Sequence, residues 1–410
     1  MRDERAFLNP QPSTLNRFRK IGLLLESSPS AGGTFQINQF YLEAVSALPP
    51  ERFTVVVGYT SDLWLKHLKG YNLETVFIPL GLWSRAIGQG WKLLGLPMAL
   101  WRKFCLLFHP MGQALMQQGC DLWIFPSQGP RSFQFPVLAL VCIHDLMHRY
   151  ERHFPESLSW WEYLNRERNY SNICHWAKGV LVDSEIGRQQ VAESYGMPLE
   201  RIHSLPFVAP PYMEVAGSPP DFDSRYHLPS KFIFYPAQFW EHKNHKRLIK
   251  AIHGLKKDLP DLKLVLVGSK KGAYDSVVGL VVELGLTDDI HFLGYVPDED
   301  MPELYRRARA LVMPTFYGPT NIPPLEAFVA GCPVAISGTY GMPEQAGDAA
   351  LLFNPESVEE IAGCIRRLWT DDRLCADLVT NGKKRADNWG QKQFNGRLLQ
   401  IIDQVLGSIE

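Results

Sequence analysis

Apolar residues along this chain gather into short runs, separated by longer stretches with helical period. In the first half, Lys20–Glu26, Phe53–Tyr59, Thr75–Leu80, Asp121–Phe125, Pro136–His144 and Gly179–Asp183 read as strands. Their near-continuous hydrophobicity suits strands covered on both faces. Phe35–Leu48, Trp160–Trp176 and Glu185–Tyr195 have the spacing of helices with one buried stripe. Near Ala209 the texture changes: APPYMEVAGSPPDFDSRYHLPSK is rich in Pro, Ser and Gly and has no period, so it reads as a linker. Alternation then restarts. Strands are predicted at Phe232–Tyr235, Lys263–Gly268, Ile290–Leu293, Ala310–Pro314 and Pro333–Ser337, with helices over 244–257, 274–284, 301–308 and 324–330. Three helical segments, broken near Asp371–Asp372 and Asn388–Gly390, close the chain. The pattern predicts two parallel-sheet α/β units in series, whose ligand site lies in the cleft at the strands' carboxyl ends.

The length of 410 residues fits two or three domains at about 150 residues each. With 42 basic against 43 acidic residues there is no global attraction to nucleic acid, and none is expected as a partner. Seven cysteines, an odd number with no C-x-x-C pair, read as buried thiols of a reducing compartment. The N-terminal MRDERAFLNPQPSTLN has no apolar core of a secretory signal, and no run of about 18 apolar residues suits a spanning helix, so a cytoplasmic protein is expected. No G-x-G-x-x-G follows the first strand, which argues against a dinucleotide cofactor; no cofactor is expected. No D-x-D run or metal-ligand cluster stands out, so metal independence is expected.

Chemistry concentrates in MPTFYGPTNIPPLEAFVAGCPVAISGTYGMPEQAGDAALLFNP, residues 313–355. A strand ends, a turn-rich loop follows, and Pro323-Pro324 opens a helix. Free amides at such a start suit a diphosphate, with Thr320, Asn321 and Ile322 on the approach. Glu326 reads as a first-turn acid, either an ordinary dipole-favoured residue or an acceptor for ribose hydroxyls. In YPAQFWEHKNHKRLIKAI, Lys243 is either a surface lysine or a point charge for a leaving diphosphate. In VCIHDLMHRYERHFPE, His144 and Asp145 end a buried strand facing the proposed cleft. Asp145 reads equally as a cap, and His148, Arg149 and His153 are alternatives for acceptor contact. Gly32 and Gly33 follow the first strand, as a plain turn or a place where backbone approaches a ligand.

LEAFVAGCPVAIS followed by GMPEQAGDAALLF resembles the second half of the signature of the retaining family-four glycosyltransferases of GT-B fold. The resemblance spans nearly the whole chain. It implies two Rossmann-like domains facing across a cleft, a nucleotide-diphosphate sugar donor, and a glycan or lipid-linked oligosaccharide acceptor. By the same resemblance Glu326 binds the donor ribose, the amides of Thr320 to Ile322 hold the phosphates, Lys243 neutralises the diphosphate, and His144 lies beside the donor sugar. The backbone around Tyr295 and Val296 would meet the base, and Gly33 the donor phosphates. Two departures are plain: Gly318 stands eight before Glu326, where the family has a glutamate, and Gln238 stands where it has an arginine. The expected boundaries are an N-terminal domain 1–208, a linker 209–230, a donor domain 231–390 and a C-terminal helix 391–410 that packs back on the first domain. A nucleotide-sugar epimerase or a non-catalytic nucleotide-sugar binding protein are the competing readings.

No acidic residue lies between Glu74 and Asp121, while that stretch holds Arg85, Lys92, Arg102 and Lys103 with Trp83, Trp91 and Trp101. Residues 81–108 therefore read either as helices packed on the sheet or as a face for an anionic membrane surface, which would make the protein peripheral at the inner face of the plasma membrane.

Overall fold

The computed structural model describes residues 18–407 apart from 28–31, 79, 158, 215, 216, 218 and 219. The N-terminal residues read above for a secretory signal, and part of the loop before Gly32, lie outside the described residues. The first half forms a sheet of strands β1 (Arg19–Leu25), β2 (Phe53–Tyr59), β3 (Glu74–Phe77), β4 (Leu122–Phe125), β5 (Ala139–Cys142), β6 (Gly179–Val182) and β7 (Ile202–Ser204), in the order β3-β2-β1-β4-β5-β6-β7. The second half forms another of β8 (Ile233–Pro236), β9 (Leu264–Val267), β10 (Ile290–Gly294), β11 (Ala310–Met313), β12 (Val334–Ser337) and β13 (Ala350–Phe353), ordered β10-β9-β8-β11-β12-β13. The pairings are parallel, with Ile21 opposite Val55 in the first sheet and Leu311 opposite Val334 in the second. In each sheet the strand order reverses beside the first strand of the unit, and that switch point leaves a crevice at the carboxyl ends.

Helices of eight residues or more are α1 (Gly33–Ser46), α2 (Leu82–Leu94), α3 (Met98–Phe108), α4 (Pro110–Gln117), α5 (Trp160–Trp176), α6 (Glu185–Tyr195), α7 (His245–Leu255), α8 (Tyr274–Glu283), α9 (Ile322–Ala330), α10 (Val358–Thr370), α11 (Asp372–Asn388) and α12 (Gln391–Gly407). Asp371 stops one helix and caps the next, its Oδ1 accepting from the Leu374 amide at 2.9 Å.

Two strands have no counterpart in the sequence reading. Both β7 and β13 are edge strands, and β7 has only three residues with His203 at its centre. The segment read as a linker is also more than a tether. Met213 and Phe222 are buried in the core of the second domain, and Arg225 and Tyr226 both bond the Asp300 carboxylate. The chain crosses back between the domains at Trp389, whose Nε1 donates to the Pro206 carbonyl at 3.2 Å. Beyond it α12 buries Phe394, Leu398, Ile401, Ile402 and Val405 in the core that holds β1 and α1. Each such side chain contributes about 1.5–3 kcal/mol over exposure. Among the described residues no helix is long and apolar enough to cross a membrane.

Candidate active site

Polar contacts join the two carboxyl-end faces. Asp183, the first residue after β6, is 3% exposed, and its Oδ2 accepts from Thr320 N at 3.0 Å and Thr320 Oγ1 at 2.6 Å. Burial pushes this carboxyl up to about 6, against the pull of its hydrogen bonds to Thr320 and Ser184. Gln36 on α1 donates to Asp298 at 2.7 Å, and the Leu146 amide donates to Tyr317 Oη at 2.9 Å. The Glu156 carboxylate accepts from both the backbone and the ring Nδ1 of His242, the latter at 2.9 Å. Met147, Phe154 and Tyr317 form a small apolar seal beside these bonds, with Phe316 and Tyr340 against it.

The start of α9 differs from the sequence reading in two ways. The helix begins at Ile322, ahead of the prolines, so Glu326 stands in its second turn and not its first. The three amides expected to hold phosphate are not all available either. Thr320 N donates to Asp183, and Asn321 N donates to Gln345 Oε1 at 3.1 Å. Pro323 and Pro324 carry no N–H. Of the three amides this leaves Ile322. The reason is competition: a buried carboxylate and an amide oxygen already occupy the helix start.

Other parts of the site do converge there. Lys243 Nζ donates to the Asn321 side-chain Oδ1 at 3.3 Å. Burial lowers the Lys243 ammonium to about 8, partly offset by Asp145 and Glu156. Gln238 Oε1 accepts from Trp240 Nε1 at 3.0 Å, and a Cβ at Gly32 would lie 3.9 Å from Gln238 Nε2. A Cβ at Gly33 would lie 3.8 Å from Ile322 Cδ1. The loop after β1, the loop after β8 and the start of α9 thus meet at one place. Tyr295, just past β10, is 72% exposed, while Val296 is buried.

Glu326 is 4% exposed, and its two oxygens accept from the phenols of Tyr212 and Tyr305. Burial raises this carboxyl and the two phenol bonds pull it down. A carboxylate has about four lone-pair sites, so each oxygen keeps capacity for one more donor.

On the opposite face, His144 follows β5. Its amide donates to Gln128 Oε1 at 2.9 Å, and its Nε2 lies 2.7 Å from the Pro126 carbonyl. A carbonyl only accepts, so Nε2 carries the proton and Nδ1 is the acceptor. Burial lowers the imidazole, which keeps it neutral near pH 7. Asp145 Oδ1 accepts from the Met147 amide at 3.0 Å and from Arg166 at 3.2 Å, a local turn cap paired with a guanidinium. His148 and Arg149 are corrections. His148 is 1% exposed with Nε2 at 2.7 Å from Glu167, and Arg149 grips the same Glu167 through two nitrogens. These side chains pin the segment after β5 to α5, and burial closes His148 to an acceptor while Arg149 stays exposed. His153 is 70% exposed beside Glu151.

Asp183, Tyr212, Tyr305 and Gln345 were missed by the sequence reading. Asp183 had a usable signal: like Asp145, it is an acid at the end of an apolar strand. A cavity of about 920 Å³ lies where the chain crosses between domains, lined by Phe207, Phe328, Lys384 and Trp389 but by none of Lys243, Gln238 and His144. Among the described residues no group of three or more His, Cys, Asp or Glu is placed to hold a metal.

Two facing Rossmann-like sheets with this cleft define a GT-B architecture. Anabaena Alr3699/HepE bound to UDP and glucose superposes with a TM-score of 0.70 at 17% identity, covering 94% of this chain and 99% of that one. A glycosyltransferase from Rickettsia africae gives a TM-score of 0.71 at 16% identity over 95% and 99%. Residues 221–385 match the family described as glycosyl transferases group 1. O-antigen chain mannosyltransferase B of Escherichia coli is 31% identical over 224 residues, 53% of this chain and 57% of that protein. The 2-deoxystreptamine glucosyltransferase of Streptomyces kanamyceticus is 28% identical over 189 residues, 45% of this chain and 49% of that protein. The match thus spans about half the length of these curated relatives. The fold of the whole chain is thus that of the GT-B structures, and residues 221–385 are similar to the group 1 glycosyl transferases.

The raised Asp183 carboxyl has a consequence for stability. Its folded value, about 6, lies above the usual 3.8, so between those values the folded chain holds more protons than the unfolded one. This group's contribution therefore falls as pH rises from about 4 to about 6, and is flat above. Asp183→Asn, which does not titrate, should remove that component; urea midpoints at pH 4.5 and 6.5 that shift equally in both proteins would refute the assignment.

Proposed function

We propose that this chain is a retaining, metal-independent glycosyltransferase. It moves a hexose or deoxyhexose from a nucleotide-diphosphate sugar to a glycan or lipid-linked oligosaccharide acceptor, in the building of a cell-surface polysaccharide. The observation that carries this is the meeting of Lys243, Gln238 and the Gly32–Gly33 loop at the start of α9, in a group 1 chain. Lys243 supplies positive charge where a diphosphate leaves. The bond from the anomeric carbon to the diphosphate oxygen breaks, the acceptor hydroxyl oxygen bonds that carbon, and its proton passes to the departing phosphate. His144, neutral and held by Pro126 and Gln128, offers Nδ1 to a hydroxyl beside the sugar. Glu326 keeps lone pairs for the ribose. Relatives named as mannosyltransferases make mannose the first sugar to test.

The decisive experiment is nucleotide release from a panel of nucleotide sugars, with and without lipid-linked acceptors. Release that depends on acceptor is expected, and His144→Ala should lower turnover more than donor affinity. Epimer formation without release, or binding with neither, would refute the transferase.

Lys243 gives the donor site a pH signature. Its charge fades as pH rises through about 8, so nucleoside-diphosphate affinity should decline above that value. Lys243→Arg stays protonated and should flatten this limb of the profile. An unchanged profile in the arginine variant would remove Lys243 from the phosphate site.

The same reading puts the protein peripherally on the cytoplasmic leaflet, through residues 81–108 on α2 and α3. On α3, Trp101 and Cys105 are buried while Leu100 (55% exposed), Phe104, Leu107 (64%) and Phe108 (55%) form a second, outward apolar stripe beside exposed Lys103. Phe104 stacks on Trp101 and meets Phe108, with ring centroids 4.9 and 4.8 Å apart. Leu82, on α2, is 85% exposed. Such a helix face is costly in water and suits a lipid interface. The side chains of Trp83, Arg85 and Lys92 lie outside the described residues. The other residues of the sequence reading divide: Trp91 and Trp101 are core, and Arg102 donates to the Phe133 carbonyl at 2.7 Å. The full chain should sediment with anionic phosphatidylglycerol vesicles more than with phosphatidylcholine ones, and Leu107→Glu should reduce this several-fold. Equal binding to both vesicle types would count against the proposal.

A further inference from the structure

Gly318 is the position where the chain departs most from its family's pattern, and its surroundings explain why. Its φ is +128°, and a Cβ there would lie 2.7 Å from Asn321 Nδ2 and 2.9 Å from Oδ1. The Asn321 amide fills the space that any side chain at 318 would need. Its orientation is fixed chemically: an ammonium can only donate, so Oδ1 is the atom facing Lys243 Nζ at 3.3 Å. That turns Nδ2 away from the lysine. Nδ2 is buried and has no hydrogen-bond partner in the structure. A buried, unpaired donor is unfavourable unless something satisfies it. Asn321 is the N-cap residue of α9 but makes no side-chain cap bond.

Of the three backbone amides expected at the helix start, meanwhile, only that of Ile322 is left for a ligand. The amides of Thr320 and Asn321 serve Asp183 and Gln345, and residues 323 and 324 are prolines. We infer that the Asn321 side-chain amide replaces them: Nδ2 donates to an oxygen of the donor's diphosphate, beside Lys243, and Gly318 exists to make room for it. Asn321 is then a binding residue through its side chain, and the site that elsewhere places a carboxylate at 318 here places a neutral donor. This rests on the proposed donor site and sharpens it. The contact lies on the nucleoside-diphosphate portion, common to all sugars, so the residue sets phosphate affinity rather than sugar choice.

The test is calorimetric titration of the full chain with UDP, GDP and their glucose and mannose conjugates. Asn321→Asp keeps the shape, removes the N–H donor and neutralises Lys243. It should weaken the tighter nucleoside diphosphate by about ten- to a hundredfold, the scale of a lost charge-assisted bond, and its sugar conjugate by the same factor. Asn321→Ala should lose less, since it adds no charge. Gly318→Ala should lose affinity too, by crowding the amide; thermal unfolding of each variant separates this from misfolding. If wild type binds neither UDP nor GDP, the donor-site reading itself fails. If wild type binds and both Asn321 variants stay within twofold, the inference is overturned. A loss confined to the sugar conjugates would also overturn it, because the amide would then serve the sugar.

Discussion

One buried acid ties the two domains together at the start of α9. Asp183 leaves the end of β6 and takes both the backbone and the hydroxyl of Thr320, one residue before the N-cap of α9. A carboxylate is expensive to bury, and the start of a helix is among the few places where backbone amides and dipole offset that cost. The bond therefore fixes the N-terminal sheet against the helix that carries the proposed donor site. It also uses helix-start potential that a ligand anion would otherwise meet. In the proposed donor site, charge recognition of a phosphate would thereby pass from the backbone to side chains.

A second acid works in the same way further along α9. Glu326 joins the segment after the first domain, through Tyr212, to the helix bearing Tyr305. Both phenols are pushed upward by burial beside this carboxylate, so they stay protonated and remain donors. The chain between the domains is thereby clamped to α9, which is why the aperiodic stretch near Ala209 is not a free tether. Asp183 holds the residue just before a short helix, and Glu326 holds the helix at its middle.

Much of the architecture was legible because buried parallel strands are nearly continuous apolar runs. Phe53–Tyr59 agrees residue for residue with β2. The edge strands β7 and β13 were not legible: β7 has only three residues with a histidine at its centre, and the four apolar residues of β13 are too short a run for periodicity to mark as a strand. At the site, residue types were readable but their partners were not. VCIHD marks His144 correctly as a strand-end residue, yet nothing local says that His148 will turn into Glu167. Likewise Thr320 and Asn321 read as free amides, because Asp183 is 137 positions away in sequence and Gln345 is 24. Tertiary partners decide which donors remain for a ligand, and tertiary partners leave no period.

The departures at 238 and 318 gain meaning from the charges around Lys243. Two acids lie near it, Asp145 and Glu156, and on proximity alone they would cancel its charge. Asp145 pairs with Arg166 at 3.2 Å, and Glu156 accepts from the backbone and ring of His242 through Oε1, its buried Oε2 keeping no partner. The hydrogen bond of the ammonium goes to neither acid but to the neutral Asn321 oxygen. A neutral partner holds Lys243 in place without neutralising it. With Gln238 in place of an arginine, this lysine is the cation that the proposed donor site would offer a diphosphate. A carboxylate at 318 or 321 would pair with it and take that charge from the ligand. Gly318 with Asn321 is the combination that keeps it available.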